Sequence, residues 1–445
     1  MVKPTHTPDA ADAPAERTVH AKEIFALAFP ALGVLAAAPL YLLLDTAVVG
    51  RLGATALAGL GAATTIQSMV TTQLTFLSYG TTARSAREYG ASDREGAIDE
   101  GVQATFVAVA VGLVLAAVIW CGAPWFTQWL AHDDHVAEKA TTWLRVAGFG
   151  IPLVLVTMAG NGWLRGIQNT KLPLYFTLAG EIPSAVLVPV LVRHLGVVGS
   201  AWANLTGQTI TSACFLAALA IMHRGSWRPR AVVMWKQLVM GRDLIARSLS
   251  FQIAFLSAAA VAGRFGPAAL AAHQVQLQIW NFLTLVLDSL AIAAQALTGA
   301  ALGKGTAALA RSVGTQVTKY SVTFSGMLAA VFAVGYTVIP RLFTTDASVL
   351  EQMRGPWWLM ILMILGGGVV FALDGVLLGA ADAAYLRTIS LGAVIVGFLP
   401  GVWVAYFLHT GLTGVWCGLV LFIAVRLIAV VWRFRSMRWA KQDSA

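Results

Sequence analysis

Four acidic residues lie deep inside segments that are otherwise apolar enough to cross a membrane: Asp45, Glu181, Asp288 and Asp374. A charged side chain at the bilayer centre costs at least about 2.5–3.5 kcal/mol, so such a group must pair with a base, bind a cation, contact water or take up a proton. Asp45 follows the run 41–44, which holds no base, and Arg51 is predicted beyond the end of the same helix. We therefore take these acids as candidate sites for cation coupling and substrate binding, with Asp45 first.

Pro30 lies earlier in the same apolar run as Asp45. A proline inside a helix removes a backbone hydrogen bond and kinks the helix. A kinked helix that carries a titratable acid suits a switch in which protonation of Asp45 changes the bend. The alternative is an inert, hydrogen-bonded Asp45 near the outer end of the helix.

Two of the other three acids have a structural explanation that competes with a functional one. Asp374 is also explained as a polar contact between helices, and Asp288 as an anchor for polar residues of its own helix. Six polar or aromatic residues near the acids are candidates to line a cavity: Thr46, Asn161, Trp163, His273, Gln274 and Trp280. Buried aromatic side chains and lone histidines more often belong to a packed core, so the structural explanation competes for these residues too.

The elements that must position these residues are membrane helices. Hydrophobic residues make up 58% of the chain and charged residues 11%, against about 25% charged residues in soluble domains. Because a helix needs about 20 apolar residues to cross about 30 Å, runs of that length indicate an all-α integral membrane protein. We predict twelve transmembrane helices, near 24–48, 56–81, 98–122, 140–163, 172–193, 197–222, 243–264, 267–297, 314–339, 356–380, 385–408 and 412–434.

The predicted helices divide into two similar halves. Residues 48–60 align with residues 261–273, and the same offset places Gly90 opposite Gly303 and Asn161 opposite Asp374. Each half has an even number of helices, so we expect two pseudo-symmetric six-helix bundles related by an axis along the membrane normal. In transporters built from repeats, the substrate site tends to lie between the halves near the midplane.

Composition sets the predicted domain boundaries. The amino-terminal segment is polar and rich in alanine, proline and acids, which predicts disorder. The longest inner loop is basic, with Trp227 and Trp235 suited to the membrane interface. The predicted units are a disordered cytoplasmic tail at 1–20, an N-terminal bundle at 21–222, a cytoplasmic linker at 223–241, a C-terminal bundle at 242–436 and a cytoplasmic tail at 437–445.

The net charge of +9 is explained by membrane topology and does not indicate a nucleic-acid partner. Lysine and arginine concentrate in the segments that share a side with the termini, so the positive-inside rule predicts a multi-pass protein of the cytoplasmic membrane with both ends in the cytoplasm. Basic residues are nearly absent from the predicted helix centres. A cavity with several acids and few bases favours cations and repels anions.

Several other classes of chemistry lack their sequence signals. The cysteines Cys121, Cys214 and Cys417 are far apart, so neither a disulfide framework nor a zinc site is indicated. The segment AHDDH at 131–135 is predicted to be a solvated loop and not a metal cluster. The segment 299–305 lacks the spacing of a phosphate-binding loop, so ATP is not the expected driver. We find no HExxH motif and no serine–histidine pair at depth, and we predict neither an enzyme nor a cofactor.

Three longer stretches carry a family resemblance: LDTAVVGRLG at 44–53, LRGIQNTKLP at 164–173 and AAHQVQLQIWNFLTLVLDSLAIAAQALTG at 271–299. They resemble multidrug and toxic compound extrusion (MATE) transporters, most of all the DNA-damage-inducible protein F branch. The resemblance covers about residues 21–436, and GVLLGAADAAYLR at 375–387 fits the second-half counterpart. It implies two six-helix bundles around a V-shaped central cavity, switched by rocking. It also implies export of organic cations, typically amphipathic drugs and dyes, in exchange for H⁺ or Na⁺.

The resemblance also implies roles for single residues. Asp45 matches the acid of the first helix that couples cation and substrate, and Pro30 matches the proline found near that site. Asp374 matches an acid of the tenth helix used in the NorM-like branch. Many relatives have an L-D-P sequence in the fifth helix where this chain has Val188, and Glu181, earlier in the same helix, is a candidate substitute.

These observations together predict an antiporter coupled to H⁺ (or Na⁺) that exports organic cations and amphipathic drugs by alternating access, as a monomer in the lipid bilayer. One alternative is a lipid-linked precursor or metabolite flippase of the same superfamily, which should hold basic residues in its cavity and often has fourteen helices. A channel is a further alternative, which the duplication into two bundles disfavours.

Overall fold

The structure, a computed structural model, describes residues 20–131 and 133–441, and its regular elements in that part are helical. The first lobe contains α1 (Ala21–Val49), α2 (Ala54–Leu74), α3 (Phe76–Gly90), α4 (Arg94–Ala131), α5 (Asp134–Gly148), α6 (Ile151–Gly166), α7 (Lys171–Leu195) and α8 (Val197–Met222). The second lobe contains α9 (Ala231–Arg264), α10 (Pro267–Gly303), α11 (Ala307–Val334), α12 (Ile339–Phe343), α13 (Ala347–Gly379), α14 (Ala383–Gly392), a π-helical turn (Ala393–Phe398), α15 (Leu399–Phe407) and α16 (Gly411–Ser436).

These helices form twelve transmembrane units, each of one helix or of consecutive helices, with six units in each lobe. Within the described ranges, ten spans are long and apolar enough to cross a membrane, and the pair α5–α6, bent by 47° at its break, brings the number to eleven. The helices α2 and α3 are separated only by Thr75 and together form the twelfth transmembrane unit. It is more polar than the others, but hydroxyls such as those of Thr64 and Thr65 donate to carbonyls one turn earlier, at 2.8 and 2.7 Å. The predicted all-α architecture of two six-helix bundles is confirmed.

The predicted linker 223–241 is wrong in its extent. Only the segment before Ala231 is a loop, because α9 begins there and continues without a break into the membrane. The stretch AVVMWKQLVM has no proline or glycine to stop a helix, and its apolar side chains suit the interface. Trp235 is indeed largely exposed on this first part of α9.

Both chain ends were predicted to form tails. Residues 1–19 lie outside the described residues. In the predicted tail 437–445, residues Arg438–Lys441 form a short 3₁₀ turn, and the Trp439 ring stacks on Phe434 with ring centroids 5.6 Å apart. In the predicted loop 131–135, Ala131 ends α4 and Asp134 begins α5. The Asp133 carboxylate caps α5, because it accepts a hydrogen bond of 3.0 Å from the Val136 amide.

The lobes meet along a seam between α3 (residues 79–90) and α10 (residues 288–303). A Cβ on Gly90 would overlap the backbone of Ala300, and a Cβ on Gly303 would overlap the backbone of Arg87. The repeat alignment makes Gly90 equivalent to Gly303 and Arg87 equivalent to Ala300, so these two contacts are one contact repeated across a pseudo-twofold axis. Glycine lets the two backbones approach this closely, which is the packing of small residues common between membrane helices.

The lobes separate away from the seam. One stripe of α10, spaced three and four residues apart, faces the other lobe along its whole length. Its first part is exposed, at Pro267, Ala271, Gln274, Gln278 and Asn281. Its last part is buried in the seam, at Ile292, Gln295, Gly299 and their neighbours. The same face therefore changes from open to closed along the helix, which describes a V-shaped cleft closed at the end where α1 begins.

Candidate functional site

A cavity of about 360 Å³ lies inside the first lobe. Helices α1, α2 and α5 to α8 line it, and drug-sized ligands occupy pockets of roughly 300–1,000 Å³. The described residues around it include two acids and no base: Val34, Ala38, Tyr41, Leu42, Asp45, Thr64, Gln67, Ser68, Thr71, Trp143, Val154, Thr157, Met158, Asn161, Thr177, Glu181, Asn204, Gln208 and Thr211. Such a cavity suits a cation that carries apolar groups.

Asp45 lies at the wall of this cavity and is only 1% exposed. The Ser200 hydroxyl donates to Oδ2 of Asp45 at 2.9 Å, and the indole Nε1 of Trp143 donates to the Ser200 oxygen at 2.9 Å. The other carboxylate oxygen, Oδ1, is buried and has no hydrogen-bond partner among the described residues. One oxygen is thus held in place by a chain of donors, and the other is left for a proton or a cation.

Several cavity residues escaped the sequence analysis, although their spacing carries a signal. Tyr41 is one helical turn before Asp45, and it lies within electrostatic reach of both Asp45 and Glu181. On α8, Ser200, Asn204, Gln208 and Thr211 recur every three or four residues and form one polar stripe facing the cavity. A polar stripe at helical spacing inside an apolar span is a pattern that sequence alone shows.

At position 188, where the family resemblance implies an aspartate, no other acid takes its place. Val188, where many relatives are expected to have aspartate, is fully buried in the core of the lobe and does not line the cavity. Glu181, two turns earlier on α7, does line it. The second acid of this cavity thus stands on the same helix but at a different depth.

Pro30 and Pro39 both lie inside α1, which is a single helix across both of them. Pro39 was not singled out in the sequence, yet it is flanked by the cavity residues Ala38 and Tyr41. Each proline removes one backbone hydrogen bond from the helix that carries Asp45. The switch at Pro30 stays a prediction.

Of the six residues predicted to line a cavity, only Asn161 lies at this one. Thr46 and Gln274 are exposed, and they do not line it. Trp163 and Trp280 are buried in the packed core, Trp163 against Gly101 and Trp280 near Gly367. The positions of Trp163 and Trp280 correct the prediction, because their rings fill the space between helices. Gln274 instead lies on the exposed stripe of α10 that faces the cleft between the lobes.

His273 is also buried, with its ring 5.9 Å from that of Trp416 in an edge-on arrangement. The described residues offer no hydrogen-bond partner to either ring nitrogen. His273 therefore lies in the interior of the second lobe, away from the cavity of the first.

Asp374 is held by two arginines in the second lobe. Arg247 of α9 approaches its Oδ2 at 2.6 Å, and Arg426 of α16 forms an ion pair with the same oxygen. The Arg426 guanidinium also lies over the rings of Phe251 and Phe422, 4.8 and 5.6 Å from their centroids. Buried bases thus exist in the helix interiors, contrary to the expectation from the sequence, and they neutralise this acid.

The repeat alignment shows how the two lobes differ at this place. Position by position along the aligned helices, four cavity residues of the first lobe have larger or charged counterparts in the second. The pairs are Val34 and Arg247, Ala38 and Phe251, Asn161 and Asp374, and Thr211 and Arg426. The second lobe therefore fills with arginine, aspartate and phenylalanine the space that the first lobe leaves open.

Asp288 lies at the seam and not in the first-lobe cavity. The Tyr79 hydroxyl of the first lobe donates to Oδ2 of Asp288 at 2.7 Å. Arg165, Arg247 and Asp374 are within electrostatic reach of this carboxylate. The four predicted acids thus occupy three different environments: an uncompensated cavity, an ion-pair cluster and the contact between the lobes.

Comparison with known proteins places this architecture in a family. The MatE family model matches residues 30–190 and 244–403, one match in each lobe. Protein DETOXIFICATION 44, chloroplastic, of Arabidopsis thaliana is 31% identical over 454 residues, covering 95% of this chain and 84% of the relative. DNA damage-inducible protein F of Escherichia coli (strain K12) is 26% identical over 437 residues, covering 94% of each. A solved structure described as MATE in the bent conformation matches with a TM-score of 0.86 at 21% identity, covering 94% of this chain and 96% of that one. The chain therefore belongs to the MATE family of multidrug and toxic compound extrusion transporters.

Proposed function

We propose that this transporter is a proton-coupled antiporter that exports amphipathic organic cations by alternating access, with Asp45 as the site shared by proton and substrate. The observation that carries the proposal is the first-lobe cavity, which presents the free Oδ1 of Asp45 and the carboxylate of Glu181 and has no base among its described lining residues. Trp143 and Tyr41 add aromatic rings to the same wall, and aromatic faces attract organic cations.

A proton fits this site better than a metal cation does. A proton needs one free carboxylate oxygen, which Asp45 provides. Hard metal ions call for several oxygen ligands at once. A one-for-one exchange of a proton for a monovalent cation moves no net charge, so the pH difference drives it. Each pH unit supplies about 1.4 kcal/mol, enough for a substrate gradient of about tenfold.

The distribution of basic residues supports an orientation for this cycle. The seam end of the protein carries Arg87, Arg94, Lys171 and Lys304, all at helix ends on the side where α1 begins. The positive-inside rule places such an end in the cytoplasm. We therefore propose that a monomer in the cytoplasmic membrane has both termini inside and its cleft open to the outside.

Vesicles that contain the purified protein test this function. We expect a fluorescent organic cation to move against an imposed proton gradient in vesicles with protein, and not under a Na⁺ gradient of equal size. Protein-free vesicles are the control for leakage of the dye. Transport driven by the Na⁺ gradient alone would replace the proton in the proposal, and no dye movement under either gradient would contradict it.

One observation favours the flippase alternative: the second lobe contains two buried arginines. Arg247 and Arg426 are the bases that a pyrophosphate-bearing lipid would need. They are already bound to Asp374, and the Arg426 guanidinium is covered by aromatic rings. Transbilayer movement of a fluorescent lipid diphosphate in the same vesicles, with no dye transport, would favour the flippase over the antiporter.

Ser200→Ala is expected to weaken transport without abolishing it. The change removes the hydroxyl that donates to Asp45 and accepts from Trp143, and such a hydrogen bond to a charged group contributes about 1.5 kcal/mol or more. We expect the apparent proton or dye affinity to change by about tenfold. Ser321→Ala is the matched control, because the Ser321 hydroxyl is also buried but donates to the Gly368 carbonyl at 2.7 Å in the second lobe. Equal effects of the two changes would argue against the donor chain.

A further inference from the structure

Tyr79 is attached to the second lobe at two points. Its hydroxyl donates to Oδ2 of Asp288 at 2.7 Å, and its backbone carbonyl accepts a hydrogen bond of 2.7 Å from Nε2 of Gln295. Asp288 and Gln295 are two helical turns apart on α10, so both groups stand on the face that meets α3. One residue of the first lobe is thus clamped by two side chains of the second.

The rest of the seam provides close contact but few specific bonds. Towards the end of α3, the contacts are made by Ala83, Ala86 and Gly90 against Gly299 and the backbone around it. Small residues allow the helices to approach, yet they offer little side-chain area and no side-chain hydrogen bonds. The specific, directional part of the seam is therefore the clamp on Tyr79.

Two arginines and a further acid lie around the clamp. Asp288 lies within electrostatic reach of Arg165 from the first lobe and Arg247 from the second, with Asp374 as a further acid. Arg165 also donates to the Ser78 hydroxyl at 3.2 Å, directly beside Tyr79. The Tyr79 hydroxyl thus donates to a carboxyl group that has a basic side chain of each lobe near it.

The repeat shows that the clamp is not a consequence of duplication. Across the pseudo-twofold axis, the counterpart of Tyr79 is Ile292 and that of Asp288 is Thr75. The Thr75 hydroxyl donates to the Thr72 carbonyl of its own helix at 2.9 Å and does not join the lobes. The glycine contacts occur on both sides of the axis, whereas the clamp occurs on one side only. It is an addition to the symmetric packing.

We propose that Tyr79 and Asp288, supported by Gln295, form a latch that holds the lobes closed at the seam end. This inference rests on the proposed alternating-access cycle. Opening the seam end requires the two hydrogen bonds on Tyr79 to break, since α3 and α10 belong to different lobes. The latch sets the balance between the two states of the transporter, so Tyr79 is a positioning residue and does not need to contact the substrate.

The distance between the lobes measures the latch directly. Glu95→Cys and Thr306→Cys introduce labelling sites at exposed positions on either lobe beside the seam, in a chain whose three native cysteines have been replaced. Spin labels on the two sites report a distance distribution by electron resonance. In the unaltered seam we expect a short distance to dominate.

Tyr79→Phe keeps the ring and removes only the hydroxyl. We expect it to raise the ratio of long to short distances by about tenfold, which corresponds to about 1.4 kcal/mol. Asp288→Asn should shift the ratio in the same direction, and the double variant should add little because both changes break the same bond. Tyr385→Phe is the matched control, because that hydroxyl donates to the Ala429 carbonyl at 2.9 Å within the second lobe.

Two results would contradict the proposed latch. One is a distance distribution in Tyr79→Phe that equals that of the protein with the native seam. The other is a shift in Tyr385→Phe as large as the shift in Tyr79→Phe. Additive effects of Tyr79→Phe and Asp288→Asn would show that the two residues act separately. Because the distances are measured without substrate, they test the latch even in a protein that fails to move dye. Failure of dye transport alone would count against the proposed substrate and coupling and not against the latch.

Discussion

Asp45→Asn is expected to reduce proton-driven dye export to the level of vesicles without protein. Asparagine has the shape of aspartate and still accepts the hydrogen bond from the Ser200 hydroxyl, so the wall of the cavity keeps its geometry. It cannot take up a proton or carry a negative charge, and the free Oδ1 is the group on which we base the exchange. We therefore expect lost transport together with an unchanged melting temperature. Dye efflux and thermal unfolding of the same preparation check both parts.

Thr46→Val is the matched control for this change. Thr46 is the next residue of α1, it is exposed, and it does not line the cavity. Transport at the native rate in Thr46→Val, with none in Asp45→Asn, assigns the effect to the carboxylate and not to the helix. If Asp45→Asn exports dye at the native rate, Asp45 is not the coupling site, and Glu181 becomes the acid to replace next.

The sequence alone could identify Asp45 as an acid without a nearby base, because its surroundings are local; its role in coupling stays a prediction. A carboxylate in an apolar span, with no base in the several turns that precede it, is visible in a single stretch of sequence. The same signal was insufficient for Asp374. Its partners Arg247 and Arg426 stand on other helices, far away along the chain, and only the packing of α9, α13 and α16 brings the three together.

The internal repeat carries further information about the asymmetry of the lobes. Extending the alignment along α1 and α9 places Arg247 opposite Val34, and extending it along α8 and α16 places Arg426 opposite Thr211. Those pairs alone predict that the two lobes differ in charge at equivalent positions. The repeat gave no such information about the aromatic residues. A tryptophan in an apolar helix looks the same in sequence whether it faces a cavity or the packed core, and Trp163 and Trp280 prove to be core residues.

Asp374→Asn is expected to destabilise the protein and to disturb transport only as a consequence. The change leaves Arg247 and Arg426 inside the second lobe without their carboxylate. Removing one partner of a buried ion pair costs about 3–5 kcal/mol, because the remaining charge is uncompensated. We expect a clear fall in the melting temperature in detergent, unlike in Asp45→Asn.

A triple change separates this structural role from cation coupling. Replacing Arg247 with valine, Asp374 with asparagine and Arg426 with threonine installs the residues that the first lobe has at the equivalent positions. No charge of the Arg247–Asp374–Arg426 cluster is then left unpaired, and Asp288 keeps Arg165 within electrostatic reach. We therefore expect the triple variant to be more stable than Asp374→Asn alone and to retain proton-driven dye export. If the triple variant is stable but exports no dye, Asp374 takes part in cation coupling. A single variant as stable as the native protein would show that the two arginines do not depend on it, and the second lobe would then need a different explanation for its buried charges.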